Sequence, residues 1–354
     1  ITLAGAAWIQ WRGGADRRSV LPWIWALLAS IPAIAFLSFS YLQAAPRVLM
    51  LASVGNVWLW VDVICVVPEI LQRYTRSTVL PKLVSSVLFC LILAQSMLFI
   101  RQQMRTYEAG GALIWDIVEE TVAANEAGQI GVFANLPTWL ALPRSNFALG
   151  EEGAMLMPTA RNLDTLVSVH TGQPAQIKAI EHPATRQEMP YYHGIISENP
   201  DWAQLASEGA RVFTTRYVPD TVFAQPAGSI EYAVEPDVDQ SLALFGECLA
   251  LNSADSIFFA GALEIDLTWQ QECEVPAEYT VFVHVLDEGG RLLAQADGDP
   301  LSGILHFALW PEDVVVHDKR FTTLESQPSR LLVGLYDRYT GERVPAFTAA
   351  GEPL

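Results

Sequence analysis

Leu21–Leu42 (LPWIWALLASIPAIAFLSFSYL) runs for 22 residues without a charged side chain. A helix of about 20 apolar residues covers the ~30 Å of hydrocarbon in a bilayer, so this run is long enough to cross one. Two further stretches share its character. Val48–Leu71 is interrupted by Asn56, Asp62, Pro68 and Glu69, and Leu83–Ile100 is flanked by Lys82 and Arg101. Ile1–Trp11 reads as the last half of another span, so the chain reads as the back end of a longer protein. Pro22 and Pro32 are tolerable in lipid, where neighbouring helices satisfy the freed backbone groups. Trp8, Trp11, Trp23, Trp25 and Tyr41 sit near span ends, where amphipathic rings favour the headgroup layer. Buried core helices of a large soluble protein are the alternative; three such runs in succession with basic flanks argue against it.

The apolar runs coincide with a division of charge. Residues 1–105 hold nine Lys/Arg against Asp16, Asp62 and Glu69, a net +6, whereas the rest carries 12 basic and 36 acidic side chains, a net −24. The two parts are built for different media. With 51% hydrophobic and 17% charged residues over 354 positions, the chain is neither disordered nor an ordinary soluble enzyme. The net charge of −18 excludes nucleic acid as an expected partner, because phosphate binding draws on Lys and Arg. Four cysteines are too few for a disulfide-dense scaffold. Counting basic residues in short loops places Arg12–Ser19 and Gln72–Lys82 in the cytoplasm, and the acidic C-terminal part outside.

That outer part reads in two pieces. Over 106–240 the pattern is mixed α/β. Ala112–Glu126 has helical spacing, Ile130–Asn135 reads as a strand, Asn199-Pro200-Asp201 opens a short helix stopped by Gly209, and Arg211–Val218 is the next strand. From 241 to 354 short strands follow one another. Leu263, Ile265, Leu267 and Trp269 alternate with Glu264, Asp266, Thr268 and Gln270, the signature of a strand with one buried face. Tyr279–Leu286 is apolar on both faces, and Val314–Phe321 and Arg330–Tyr336 complete the set. The fold class expected is a multi-span α-helical membrane region (residues 1–105, one partial and three complete spans), an extracytoplasmic α/β segment and a C-terminal antiparallel β-sandwich.

Tyr279–Asp287 (YTVFVHVLD), Leu292–Asp297 (LLAQAD), Pro300, Trp310-Pro311 and Val333–Asp337 (VGLYD) followed by Thr340-Gly341-Glu342-Arg343 form a recognisable series. It resembles the β-sandwich tail of bacterial polytopic glycosyltransferases of the phospholipid-carrier-dependent, mannosyltransferase-like (GT-C) type. Val132–Pro137 (VFANLP) and Ala148–Gly153 (ALGEEG) are similar to the segment that joins membrane and sandwich in those proteins. The resemblance covers about the last 220 residues and rests on packing and turn residues. It implies a hexosyl-transferring protein of the plasma (inner) membrane, with a polyprenyl-phosphate sugar as substrate. Enzymes of that type carry their essential acid in the first outer loop of a longer membrane domain. Nothing in this chain corresponds to that loop, so no catalytic residue is transferred.

Candidate chemistry is sparse. Asp62, an ionisable group within an apolar run, and Arg47 at the outer end of the same run are the candidate binding residues. Fifteen residues at ~1.5 Å each place Asp62 about 22 Å beyond Arg47, nearer the cytoplasm; the bland reading is a pairing with a neighbouring helix. Glu69 and Arg73 are spaced as a helix-end ion pair. Asp297-Gly298-Asp299 has the DxD spacing by which sugar-nucleotide transferases hold a divalent metal, but it sits between strands, where Asp and Gly serve turns. The six histidines show no metal-ligand spacing, and no metal or cofactor is expected. Cys65 and Cys90 fall inside apolar runs and read as small apolar residues. Cys248 and Cys273 lie in the outer part, where oxidation is allowed. A bridge between them would tie the first sandwich strand to the loop after Trp269, worth about 3 kcal/mol in the loop-entropy model.

Two functions are compatible with this reading. The first is the C-terminal membrane and extracytoplasmic portion of a lipid-linked-sugar glycosyltransferase-like protein, its catalytic residues lying outside this chain. The second is a non-enzymatic accessory or scaffold subunit. Its partners would be the lipid bilayer and other membrane protein subunits, docked through the polar run Val48–Leu71.

Overall fold

No Gly or Pro interrupts Leu83–Ile100, and Leu, Met and Gln there favour a helix. The helix that forms is longer than the run. The computed structural model describes residues 24–25, 27–31, 50–75, 77, 79–140, 155–157, 162–181, 193–194, 200–218, 221–233, 241–246, 248–271, 273–276 and 278–354. In it α1 covers Met50–Thr75 and α2 covers Val79–Glu126, so the expected span and the expected helix Ala112–Glu126 are one element of 48 residues. The chain divides into two compact units, Ile1–Glu108 with Trp139–Leu156, and Ala109–Thr138 with Met157–Leu354.

In the first unit, the Ser85 hydroxyl of α2 donates to the Ile64 carbonyl of α1 at 3.1 Å. None of residues 82–100 is buried. Short strands β2 (Pro137–Leu140) and β3 (Met155–Leu156) pair antiparallel through Trp139 and Leu156.

This corrects the expected fold class. Among the described residues one helix, α2, is long and apolar enough to cross a membrane, and the bulk of the chain is a large mixed β-sheet with a second, small sheet. A multi-span helical region is not what these residues build. Leu21–Leu42 lies outside the described residues except for 24–25 and 27–31, which are helical. Of Val48–Leu71, the described part from Met50 folds as helix, but its interior carries Asn56, Asp62, Pro68 and Glu69. A tally of apolar runs gives such a stretch more weight as a span than its polar interior supports.

The second unit begins from β1 (Ile130–Ala134), buried at all five positions, as a parallel strand covered on both faces must be. Helix α3 (Leu163–Thr171) leads to β4 (Ile177–Ile180), parallel to β1 on one side; β5 (His193–Gly194) follows. Helix α4 (Trp202–Glu208) then leads to β6 (Ala210–Val218), parallel to β1 on the other side. The cap of α4 is Asp201, whose carboxylate accepts from the Gln204 N–H at 3.0 Å, and Gly209 ends the helix; Asn199 lies outside the described residues.

From β6 the chain turns antiparallel through β7 (Thr221–Tyr232), β8 (Ala243–Phe245), β9 (Leu249–Phe259) and β10 (Ala262–Gln271). Next come β11 (Tyr279–Leu286), β12 (Leu292–Gln295), β13 (Val314–Thr323), β14 (Arg330–Asp337) and β15 (Ala346–Phe347). Nine strands form one sheet in the order β15-β8-β9-β10-β13-β7-β6-β1-β4, β12-β11-β14 form a small sheet, and the short strands β3-β2-β5 form another. The expected α/β piece and the expected sandwich therefore share a sheet, joined where β13 pairs with β7 over Val314–Asp318. That joint is why a self-contained sandwich does not form. Leu263, Ile265, Leu267 and Trp269 of β10 face the common core with Val281, Val283 and Val285 of β11. Glu264 and Asp266 face out, where Lys319 bridges them.

Candidate functional site

Between β12 and β14 the chain carries a polar network with the Asp297-Gly298-Asp299 motif at its centre. Asp297 Oδ1 accepts from the Val283 N–H at 2.9 Å, which fixes the turn to β11. Asp299 Oδ1 accepts from Arg338 at 2.8 Å, and the same guanidinium donates to the carbonyls of Glu278 and Tyr279. Arg320, itself buried, donates from Nε to Asp318 Oδ2 at 2.7 Å and from its other nitrogens to the carbonyls of Ala296 and Gly298. Asp318 also accepts from the Leu301 N–H at 2.9 Å. Burial pushes the Asp318 carboxyl up, against the pull of the Arg320 charge and of these hydrogen bonds. The turn so held is strained: Leu301 and Ser302 both have positive φ, at 55° and 60°. Asp297 thus ties backbone directly and Asp299 does so through Arg338, and the arrangement is a structural clamp.

Elsewhere in the same unit, a groove of about 810 Å³ opens between its two sheets. Phe245 and Leu251 line it from the large sheet, Leu331 and Val333 from β14, and Arg330 and Arg343 add positive charge. The Arg343 guanidinium lies 4.9 Å from the centre of the Phe282 ring, which packs over Gly334. Any Cβ at position 334 would meet that ring at 2.6 Å, so the glycine seats the aromatic. Sequence reading missed this groove. Pro345, immediately after Val344, was the available signal that the chain leaves one sheet edge for another.

The remaining candidates are scattered. Cys248 and Cys273 form a disulfide, with Cα atoms 4.9 Å apart, beside β9 and β10. Cys65 and Cys90 are free. Asp62 lies within α1, its side chain outside what is described, and Arg47 lies outside the described residues. His284 stands 3.8 Å from Asp297, His306 3.9 Å from Asp299, and His317 3.7 Å from Glu231. Among the described residues no group of three His, Cys, Asp or Glu converges as a metal site would. No protein-family model, curated protein or solved structure matches the chain.

Proposed function

We propose that the chain is the C-terminal, membrane-anchored extracytoplasmic portion of a lipid-linked-sugar glycosyltransferase-like protein, its catalytic residues lying outside this chain. The observation that carries the membrane and compartment part is the coexistence of two features. The apolar run of α2 leaves its side chains uncovered, as lipid contact requires, and the Cys248–Cys273 disulfide belongs to an oxidising compartment. Arg73, Arg76 and Lys82 precede the run and fit its cytoplasmic end. The sugar-transfer part is supported by the segments that resemble the glycosyltransferase tail. Three of them, Tyr279–Asp287, Leu292–Asp297 and Val333–Asp337, fall in the one small sheet β12-β11-β14 with its clamped turn. Trp310-Pro311 and Val132–Pro137 lie apart from it, and Ala148–Gly153 is outside the described residues. On this reading the β-rich unit flanks the site where a polyprenyl-phosphate sugar meets its acceptor.

The test is hexose transfer from a polyprenyl-phosphate hexose by membranes containing the complete gene product. Deletion of residues 241–354 is expected to abolish transfer; unchanged transfer contradicts the reading. A second reading, a non-enzymatic scaffold subunit, is favoured by the structural use of Asp297 and Asp299. It predicts recovery in a stoichiometric membrane complex and no transfer with or without the deletion.

A further inference from the structure

The direction of the backbone groups along β14 follows from its neighbours. The Val344 N–H donates to the Leu335 carbonyl at 2.9 Å, so Leu335 points its polar groups away from β11. The opposite side of the small sheet agrees. Val281 and Val283, which stand across from Leu335 and Val333, accept on their β12 side from the N–H groups of Gly298 and Ala296. With a period of two, Val333 and Leu331 also present N–H and C=O outward.

β14 is the edge of its sheet, and its cover is partial. Arg343 and Val344 run beside Tyr336 and Leu335, then Pro345 diverts the chain, and Ala346–Phe347 joins β8 in the large sheet. Among the described residues no strand occupies the lane beside Leu331 and Val333, and that lane opens into the groove. Edges left in this state are templates for another strand.

We propose that the groove binds an extended acidic segment of another polypeptide, which adds as a strand to β14 beside Leu331 and Val333. The volume of about 810 Å³ lies within the range of ligand sites. Charge selects the occupant. Arg330 and Arg343 line the groove, and neither forms an ion pair among the described residues of a chain that carries −18 overall. Two such guanidinium groups favour carboxylates. Main-chain bonds to the edge supply affinity, and alternate side chains of the incoming segment face Phe245 and Leu251. The recognised segment therefore alternates small apolar and acidic residues. This binding does not depend on sugar transfer.

The probe is a fluorescein-labelled heptapeptide of alternating valine and glutamate, added to the full chain in bilayer nanodiscs and followed by fluorescence anisotropy. Saturable binding is expected, with slowed amide exchange at Leu331 and Val333. Arg330→Glu combined with Arg343→Glu is expected to weaken it at least tenfold. The same peptide with every amide N-methylated keeps the side chains and loses the edge donors, so it too should bind at least tenfold more weakly. Equal binding of the two peptides would overturn strand addition without requiring any variant to fold. So would absence of saturable binding by the unmodified peptide.

Discussion

Leu83–Ile100 of α2 and Ala262–Gln271 of β10 are both rich in large apolar side chains, and they treat them in opposite ways. In α2, Leu91 and Met97 remain 62% and 64% exposed, whereas in β10 Leu263, Ile265, Leu267 and Trp269 are at most 1% exposed. The sequences explain the difference. β10 alternates apolar with polar residues, so each face of the strand has its own medium and the apolar one closes on the core. α2 is apolar around its whole circumference over that stretch, and such a helix suits surroundings that are apolar on every side. Apolar content alone does not separate the two cases; its period does.

The sharpest way to break that contrast is a pair of truncations. Trp269→Ala is expected to destabilise the β-rich unit by about 3–5 kcal/mol. Leu91→Ala should leave the stability of that unit unchanged within about 0.5 kcal/mol. Urea unfolding followed by circular dichroism in detergent measures both, and similar losses would end the distinction. Asp318→Ala tests whether the clamp belongs to the same folded body. It strands the buried Arg320 charge, an effect of about 3–5 kcal/mol that should appear in the same unfolding transition. Reduction of Cys248–Cys273 is expected to lower stability by about 3 kcal/mol while leaving α2 helical. Loss of helix signal on reduction would show the two regions to be one cooperative body.

The smallest effect is a pH dependence. Hydrogen bonds from the Thr340 and Tyr339 N–H groups hold the Asp337 carboxyl below its ordinary value of 3.8. A depressed carboxyl stabilises the turn above its unfolded pKa and loses that contribution as pH falls through the folded one. Amide exchange at Tyr339 and Thr340 should therefore accelerate, relative to the intrinsic rate, only below about pH 4. Acceleration at neutral pH would contradict the assignment.

Much of the β-rich unit was legible because its signals are local. Alternation marked β10, a continuous apolar run marked β11, and Gly209 marked the end of α4. The joint between the two halves of the large sheet was not. β7 contains Pro226 and Gly228, residues that ordinarily demote a strand, yet it pairs with both β6 and β13. The structure gives the reason. The β6–β7 register shifts between Val212 and Phe213, opposite Pro226–Gly228, and Gly228 takes φ 132° against the backbone of His317, where any Cβ would collide. The continuity of α2 was hidden as well, since Arg101 flanked the expected span Leu83–Ile100 and the next expected helix began only at Ala112, while one helix runs through both. Of the candidate site, the chemistry of Asp297-Gly298-Asp299 as a turn was legible. The groove was not, because Phe245, Leu331 and Arg343 meet only through long-range pairing.

The proposed arrangement joins a bilayer-embedded apolar helix to an oxidised, β-rich unit outside the cytoplasm. A single cysteine introduced at Thr340, exposed in the turn after β14, tests it directly by labelling with a membrane-impermeant maleimide. Rapid labelling in intact cells, with the protein retained in the membrane after alkaline carbonate, is the predicted result. Labelling only after lysis, or release of the protein by carbonate, would contradict it.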